Sequence, residues 1–478
     1  MAATWHYVSA GLSLSHYDAK AHLVVARRIL DSLTPSWEQI GAVWLPLPHV
    51  LNALPVQIDF FYRTGASAIA ISIASFALTA ACLSAIVIRI TGSRAGAALA
   101  ATLFALNPDI LYLQSTSMTE PLLFGLTALV VLHLTEWALD EGQVIRRAAG
   151  WTIVLATLTR YEAWPIIGAA MLLSAGAKWR RGTGLPSVVR QMMRLALYPA
   201  GAVLFFLLMS RITTSHWFVT GGFFVPDPEL QGRPTVVWDA LVKGTADLGG
   251  TRLVGTAMIV SATLVGLGLW QRSQTALMMP LAFVAAGALP CYAYLSGHPF
   301  RIRYEVPLVV ASAVVIGTGI GLLRRFAAPA AAVMLVAVLL QVQPFDREAP
   351  MLQEAQLDRA NGVGRRRVTA CLREGYDGAS IMASMGALAH YMQELSVDGF
   401  NIADFIHEGS GPLWNVALSK GPASLAGWVI VEEVAEGGDV LFQRQKDAPF
   451  FLSGFDRVCE GGNVALYKRR RGPEALKP

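Results

Sequence analysis

The chain has 478 residues, 54% of them hydrophobic and only 15% charged, with a mean hydropathy of +0.47 and a formal net charge of +5. Soluble domains carry about 25% charged residues, so this composition excludes an ordinary soluble protein and points to a polytopic membrane chain. No basic face accompanies the excess of Lys and Arg, which argues against a nucleic-acid partner.

Residues 1–64 form a first region, ahead of the first long apolar run. Met1–Ser15 is weakly apolar, lacks a basic start and is shorter than the roughly 20 residues of a spanning helix. Ser15 to Leu51 then brings acidic, basic and histidine side chains next to the rigid WLPLPH segment, Trp44 to His49, an interfacial or re-entrant element. Asp18 lies just before the amphipathic AHLVVARRIL. An Asp there caps a helix or acts as a general base that takes the proton of an acceptor hydroxyl. His22 is a candidate cavity residue beside it, although His22 and His49 read first as satisfied structural histidines.

Residues 65–342 form the membrane region. Spans are expected at about 66–90, 95–113, 120–139, 192–211, 252–270, 275–295 and 304–324, with a shorter one at 326–342. In 149–177 two short apolar arms flank the polar knot Thr159-Arg160-Tyr161-Glu162. Polar backbone at that depth is tolerated only where protein or a wet cavity surrounds it. Arg89/Arg94, Arg146/Arg147, Lys178 to Arg194, Arg272 and Arg324/Arg325 fall on one side, which the positive-inside rule makes cytoplasmic. About ten crossings then close the topology. Every polar knot lands on the opposite face: the first region, Asn107–Glu120, Arg160–Glu162, the 212–250 loop, His298–Tyr304 and everything after about 343.

Several groups on that face can carry chemistry. Glu120 opens a span, where it complements the helix dipole or faces a cavity as a second carboxylate that orients the acceptor or helps to hold a divalent metal. Asp109 reads as a solvated turn residue after Asn107-Pro108. Arg160, Tyr161 and Glu162 read as a structural ion pair or as the floor of a cavity. Arg301 and Arg303, ahead of Tyr304, meet anionic lipid or clamp a phosphate through the guanidinium fork; on an extended loop the two share a face. No Gly-rich phosphate loop, HExxH motif or Ser/His/Asp set stands out.

Residues 343–478 change to the composition of a soluble α/β domain. Arg365-Arg366-Arg367-Val368 opens it, with strand-like runs at Ala379–Ser384, Trp428–Glu432 and Asn463–Tyr467. Cys82 and Cys291 lie in apolar runs as packing residues. Cys371 and Cys459 can pair if this domain faces an oxidising compartment.

The outer Asp of the first loop, STSMTEPL, LTRYEAW, HPFRIRYEVPL and the C-terminal α/β domain together resemble the GT-C superfamily of membrane glycosyltransferases. The nearest branch is the family-39-like group of protein O-mannosyltransferases and bacterial lipid A aminoarabinose transferases. The resemblance implies an integral protein of the bacterial inner or plasma membrane that takes a sugar from a polyprenyl-phosphate carrier. The sugar moves, with inversion, to a hydroxyl of a lipid, glycan or protein acceptor at the non-cytoplasmic face. It implies Asp18 as catalytic acid/base, Glu120 as the acidic residue of the second outer loop, and Arg303-Tyr304 with Arg301 at the carrier phosphate. Arg160, Tyr161 and Glu162 match its short-helix segment, and no cofactor or metal is implied. Two departures stand out. Ala19 follows Asp18 where many relatives have Glu, and no membrane helix stands ahead of the first loop. A flippase of lipid-linked sugars and a scaffold without chemistry stay as alternatives.

Overall fold

The computed structural model describes residues 1–41, 43–140, 144–215, 217–218 and 225–470, so parts of the expected 1–64 region, the 212–250 loop and the 343–478 domain lie outside the described residues. Four short helices lead in: α1 (Ala2–Ser9), α2 (Tyr17–Arg27), α3 (Leu47–Ala53) and α4 (Asp59–Thr64). Gly65, at φ 69°, turns the chain from α4 into α5 (Ala66–Thr91), a left-handed conformation that glycine adopts at little cost. The bundle continues with α6 (Arg94–Ala105), α7 (Pro108–Leu113), α8 (Glu120–Leu139), α9 (Arg147–Thr157), α10 (Ala163–Arg180) and α11 (Leu185–Thr214). It closes with α12 (Pro234–Gly249), α13 (Thr251–Trp270), α14 (Ala288–Leu295), α15 (Val306–Gly321) and α16 (Ala327–Leu339).

Six segments among the described residues are long and apolar enough to span a membrane: Ala66–Thr91, Glu120–Leu139, Leu185–Thr213, Thr251–Trp270, Arg272–Leu295 and Ile302–Gly321. The protein is an integral membrane protein. The expected span at 95–113 is broken, because Asn107-Pro108 ends one helix and caps another: the Asn107 side-chain oxygen accepts the Ile110 N–H at 3.1 Å. The expected span at 275–295 starts as a 3₁₀ stretch over Arg272–Gly287, with Pro280 inside it. The two arms around the 159–162 knot are α9 and α10, but α10 runs for 18 residues and is longer than the short arm expected.

α15 lies at the centre, buried along most of its length, and α6 packs tightly across it. A Cβ on Gly317 would fall 2.6 Å from that of Ala100, so glycine is what lets these two backbones approach. Small-residue contacts of this kind hold helices together where lipid supplies no hydrophobic drive between them.

The C-terminal part carries α17 (Pro350–Gln356), α18 (Arg359–Gly375), α19 (Met385–Leu395), α20 (Pro412–Lys420) and α21 (Val440–Asp447). With these goes a five-stranded sheet of β1 (Ile381–Ala383), β2 (Phe405–Ile406), β3 (Trp428–Glu432), β4 (Phe455–Gly461) and β5 (Val464–Arg469). The strand order is β2-β1-β3-β5-β4; β1 runs parallel to β2 and β3, and β5 runs antiparallel to β3 and β4. Buried β1 and β3 are covered on both faces, which is why Ile381–Ala383 and 428–431 are continuously apolar. Arg365-Arg366-Arg367 sits inside α18 and does not open the domain: Arg365, Val368 and Leu372 recur at helical spacing on its buried face. Cys371 and Cys459 form a disulfide, and Cys82 is buried in the bundle.

The sheet domain does not close its core alone. Ala21, Leu23, Val24 and Ala26 of α2 share one cluster with Val368, Leu372, Ile381, Leu388, Tyr391 and Leu466. α2 thus lies between the bundle and the sheet domain.

Candidate active site

α2 presents the first functional side chains. Its N-cap is His16, not Asp18: the His16 Nδ1 accepts the Asp18 backbone N–H at 3.0 Å. That bond requires the His16 proton on Nε2, which lies 3.4 Å from Glu354 Oε1 on α17. The Asp18 carboxylate is therefore released from capping. It meets instead the Arg303 guanidinium, in a direct Nη1 to Oδ2 contact between residues 285 apart in sequence. Burial alone raises the Asp18 pKa, but the Arg303 charge overrides it and holds the carboxyl well below the usual carboxylate range.

Arg303 sits in the 3₁₀ turn Ile302–Glu305 that feeds α15. Its guanidinium lies 5.4 Å over the Tyr304 ring, and its buried Nε–H has no acceptor among the described residues. Arg301 precedes the turn in extended conformation, its N–H donating to Tyr294 Oη at 3.3 Å and its carbonyl accepting from the same hydroxyl at 3.2 Å. The 3₁₀ turn begins between Arg301 and Arg303, and it is Arg303 that reaches Asp18.

The second charged group comes from α8 and from the knot between α9 and α10. Arg160 places Nη1 3.0 Å from Glu120 Oε1 and Nη2 2.6 Å from Glu162 Oε1, and it donates to Thr119 Oγ1 at 2.9 Å. Thr119 precedes α8 but spends its hydroxyl on Arg160 rather than on capping. Glu120, 1% exposed, receives charge from Arg160 but no aligned hydrogen bond on either oxygen among the described residues. Tyr161 turns elsewhere: its hydroxyl donates to the Val43 carbonyl at 3.1 Å, and its ring joins Trp164, Phe206 and Phe218. It lies outside this cluster.

His22 stands one helical turn after Asp18, on the same face, where the charges of Asp18, Arg160 and Arg303 all act on it. Its Nδ1 is 3.1 Å from His49 Nε2, and His49 Nδ1 is 3.1 Å from the Leu45 carbonyl. A carbonyl only accepts, so neutral His49 carries its proton on Nδ1, and neutral His22 donates from Nδ1 and keeps Nε2 as an acceptor. Burial first, then the neighbouring His49, push His22 well below the usual histidine range; burial and Arg28 take His49 down to about 3. Both rings are neutral near pH 7. Trp44 packs 4.2 Å from the His22 ring, so the WLPLPH segment serves as the wall behind this pair. A cavity of 20 Å³, room for about one water, opens between His22, His49, Ser72, Ser117 and Thr119.

Asp109 is not the solvated residue expected: it is fully buried, because α17 packs over α7 and the Met351 N–H donates to its Oδ1 at 2.8 Å. His16, Glu354 and the His49 relay were missed by sequence reasoning. The only sequence signal was the adjacency of His16 to Tyr17-Asp18; Glu354 stands in a plain polar stretch. Among the described residues no group of three or more His, Cys, Asp or Glu side chains is arranged to hold a metal ion.

No protein-family model matches the sequence, and no curated protein matches it. In structure the chain is similar to ArnT from Cupriavidus metallidurans. The apo crystal structure of ArnT superposes with a TM-score of 0.61 at 12% identity, over 95% of this chain and 94% of ArnT. The crystal structure of the same protein bound to undecaprenyl phosphate gives a TM-score of 0.60 at 12% identity, over 99% of this chain and 98% of ArnT. The chain therefore shares the fold of ArnT.

Proposed function

We propose that this chain is an inverting glycosyltransferase that moves a sugar from a polyprenyl-phosphate carrier to an acceptor hydroxyl at the non-cytoplasmic membrane face. The observation that carries this reading is the buried Asp18–Arg303 pair, joined by an arginine that still has an unused donor. ArnT binds undecaprenyl phosphate on the same fold, which supports a carrier of that class.

Asp18 paired to Arg303 is a weak base, since its pKa is depressed. A carrier phosphate competes for the same guanidinium, and a phosphate offers Arg the geometry for a two-pronged contact. As Arg303 turns to the phosphate, Asp18 loses its counter-charge, and burial then raises its affinity for a proton. Arrival of the donor thereby creates the base. The acceptor hydroxyl gives its proton to Asp18 as its oxygen bonds to the anomeric carbon. The bond from that carbon to the phosphate oxygen breaks, and the electron pair leaves with the polyprenyl phosphate. Arg303 stabilises the charge developing on that phosphate. Glu120, anchored by Arg160 yet open at both oxygens, orients the acceptor hydroxyl. His22 accepts a second hydroxyl at Nε2.

The charges that could serve transport instead stand at helix starts: Asp18 in the first turn of α2, Glu120 opening α8, Arg160 and Glu162 ahead of α10, Arg303 ahead of α15. Carriers place such groups on interrupted helices near the bilayer midplane, so this distribution favours an interfacial transferase. The test is sugar release from a panel of polyprenyl-phosphate sugars by purified wild type and Asp18→Asn. Wild type should turn over at least one donor, and the variant should lose about 10²–10⁴-fold, the contribution of a general base. Equal rates would remove Asp18 from the chemistry.

A further inference from the structure

The starts of α9 and α11 carry a second charged region, at the other end of both helices from the candidate site. Trp151 of α9 meets Tyr198 of α11 with ring centroids 5.8 Å apart, and Tyr161, beyond the end of α9, meets Phe206 at 6.0 Å. Both partners advance together along the chain, so the two helices run parallel. Gly150 lets them approach: a Cβ there would fall 2.5 Å from the Tyr198 ring. One turn before this contact stand Arg147 on α9 and Arg194 on α11, with Arg190 a turn earlier still. Phe206 lies about 18 Å further along α11 than Arg194, at roughly 1.5 Å per residue. The arginines therefore stand toward the opposite membrane boundary from Arg160 and Tyr161.

Basic residues on this side divide into two groups. Lys178 donates to the Trp137 carbonyl at 3.0 Å, Arg180 to that of Leu269 at 2.6 Å and Arg181 to that of Leu139 at 3.2 Å. These three close carbonyls at the ends of α8 and α13. Arg147, Arg190 and Arg194 are exposed, and none has an ion-pair or hydrogen-bond partner for its side chain among the described residues. No acid is at hand to supply one: from Val144 to Arg211 the sequence holds a single carboxylate, Glu162, and Arg160 takes it at the far end. The arginines are also set in an apolar surface. On α11 Met193 is 66% and Leu197 71% exposed, and on α9 Trp151 is 63% exposed one turn after Arg147. α11 is long and apolar enough to span a membrane, so lipid covers that surface.

We propose that the starts of α9 and α11 bind an anionic phospholipid, with Arg147 and Arg194 on its phosphate, Arg190 at the outer edge, and Trp151 and Leu197 along its acyl chain. Guanidinium forks suit a phosphate, and basic surfaces between membrane helices take such headgroups. A soluble anion would neutralise the arginines and leave the apolar residues bare, whereas a phosphate joined to an acyl chain matches both in the order they occur along each helix. A zwitterionic headgroup fits less well, since its ammonium adds a cation where no acid stands. The site lies away from Asp18 and Arg303 and does not depend on the transfer reaction.

The test is native mass spectrometry of the full chain released from neutral detergent and titrated with phosphatidylglycerol. One saturable lipid is expected, held more tightly than phosphatidylcholine. Arg147→Gln with Arg194→Gln should weaken it about 25-fold, at about fivefold for each guanidinium near a membrane surface. Both positions are exposed and make no folding contact through their charge, so the double variant keeps its fold. Arg325→Gln, at an exposed arginine beyond the end of α15, should leave the affinity unchanged. Absence of a retained lipid, equal binding of phosphatidylcholine, an unaltered affinity in the double variant, an equal loss in Arg325→Gln, or displacement by equimolar glycerol 3-phosphate would each overturn the proposal.

Discussion

Arg160 and Arg303 both act on His22 and are held in opposite ways. Arg160 is anchored locally, by Glu162 two residues on and by Thr119 and Glu120, adjacent at the start of α8. Its carboxylates outnumber it, and its contacts exhaust most of its donors. Arg303 faces one carboxylate, brought from the other end of the sequence, and keeps Nε–H unspent. An arginine clamped between two acids is a fixture that shapes its surroundings. An arginine in a one-to-one pair is exchangeable, because a single better anion can displace its partner. Burial makes both arrangements costly to break, yet only the second has a natural substitute in a phosphate.

The comparison breaks most sharply on activity. Asp18→Asn should abolish transfer to the extent given above, whereas Glu120→Gln, which keeps an acceptor oxygen, should cost on the order of tenfold, both read as initial rates on the same donor. If the two losses are equal, the two groups are not chemically distinct.

Next in size are effects on stability. Arg160→Ala leaves two buried carboxylates without counter-charge and should destabilise the protein by roughly 3–5 kcal/mol, measured by denaturant unfolding in detergent. Asp18→Asn with Arg303→Gln removes both members of the other pair together. That double variant should stay within about 1 kcal/mol of wild type, since no uncompensated charge is left.

Arg303→Lys sharpens the contrast further. It keeps the charge but loses the fork, so transfer should fall roughly 10- to 100-fold through weaker phosphate contacts, with little change in unfolding.

The smallest effect is on the acid limb. Asp18 has a folded pKa below its unfolded value of about 3.9, so its pairing contributes stability above that pH and loses it as pH falls through the depressed folded pKa. Unfolding midpoints taken from pH 6 down to 3 should fall less steeply for the double variant than for wild type.

Much of this architecture is written in local sequence. Apolar run length marks the spans, Asn107-Pro108 carries its own break, and the runs of β1, β3 and β5 declare a buried sheet. β4 was invisible because it is an edge strand, with Asp456, Arg457 and Val458 all facing out and no alternation to detect. At the site, Asp18 could be picked out as the acid ahead of an amphipathic helix, and Arg303, Glu120 and Arg160 as charges at the ends of apolar runs, where membrane depth makes them expensive. Their partnering could not, because a contact across 285 residues leaves no periodic trace. The role of His16 was hidden for a different reason: Asp is the commoner cap, and only the fold reveals that a histidine has taken its place.

The seat of α2 has a consequence for how the protein comes into being. Lys20 of α2 donates to Glu394 Oε1 at 2.6 Å, and Glu394 is in turn gripped by buried Arg365. The helix that carries Asp18 precedes the bundle in sequence, yet part of its packing surface, from Val368 onward, is encoded more than 340 residues later. A chain that ends before the sheet domain would therefore hold the six apolar spans found among the described residues and still lack the surface that seats Asp18.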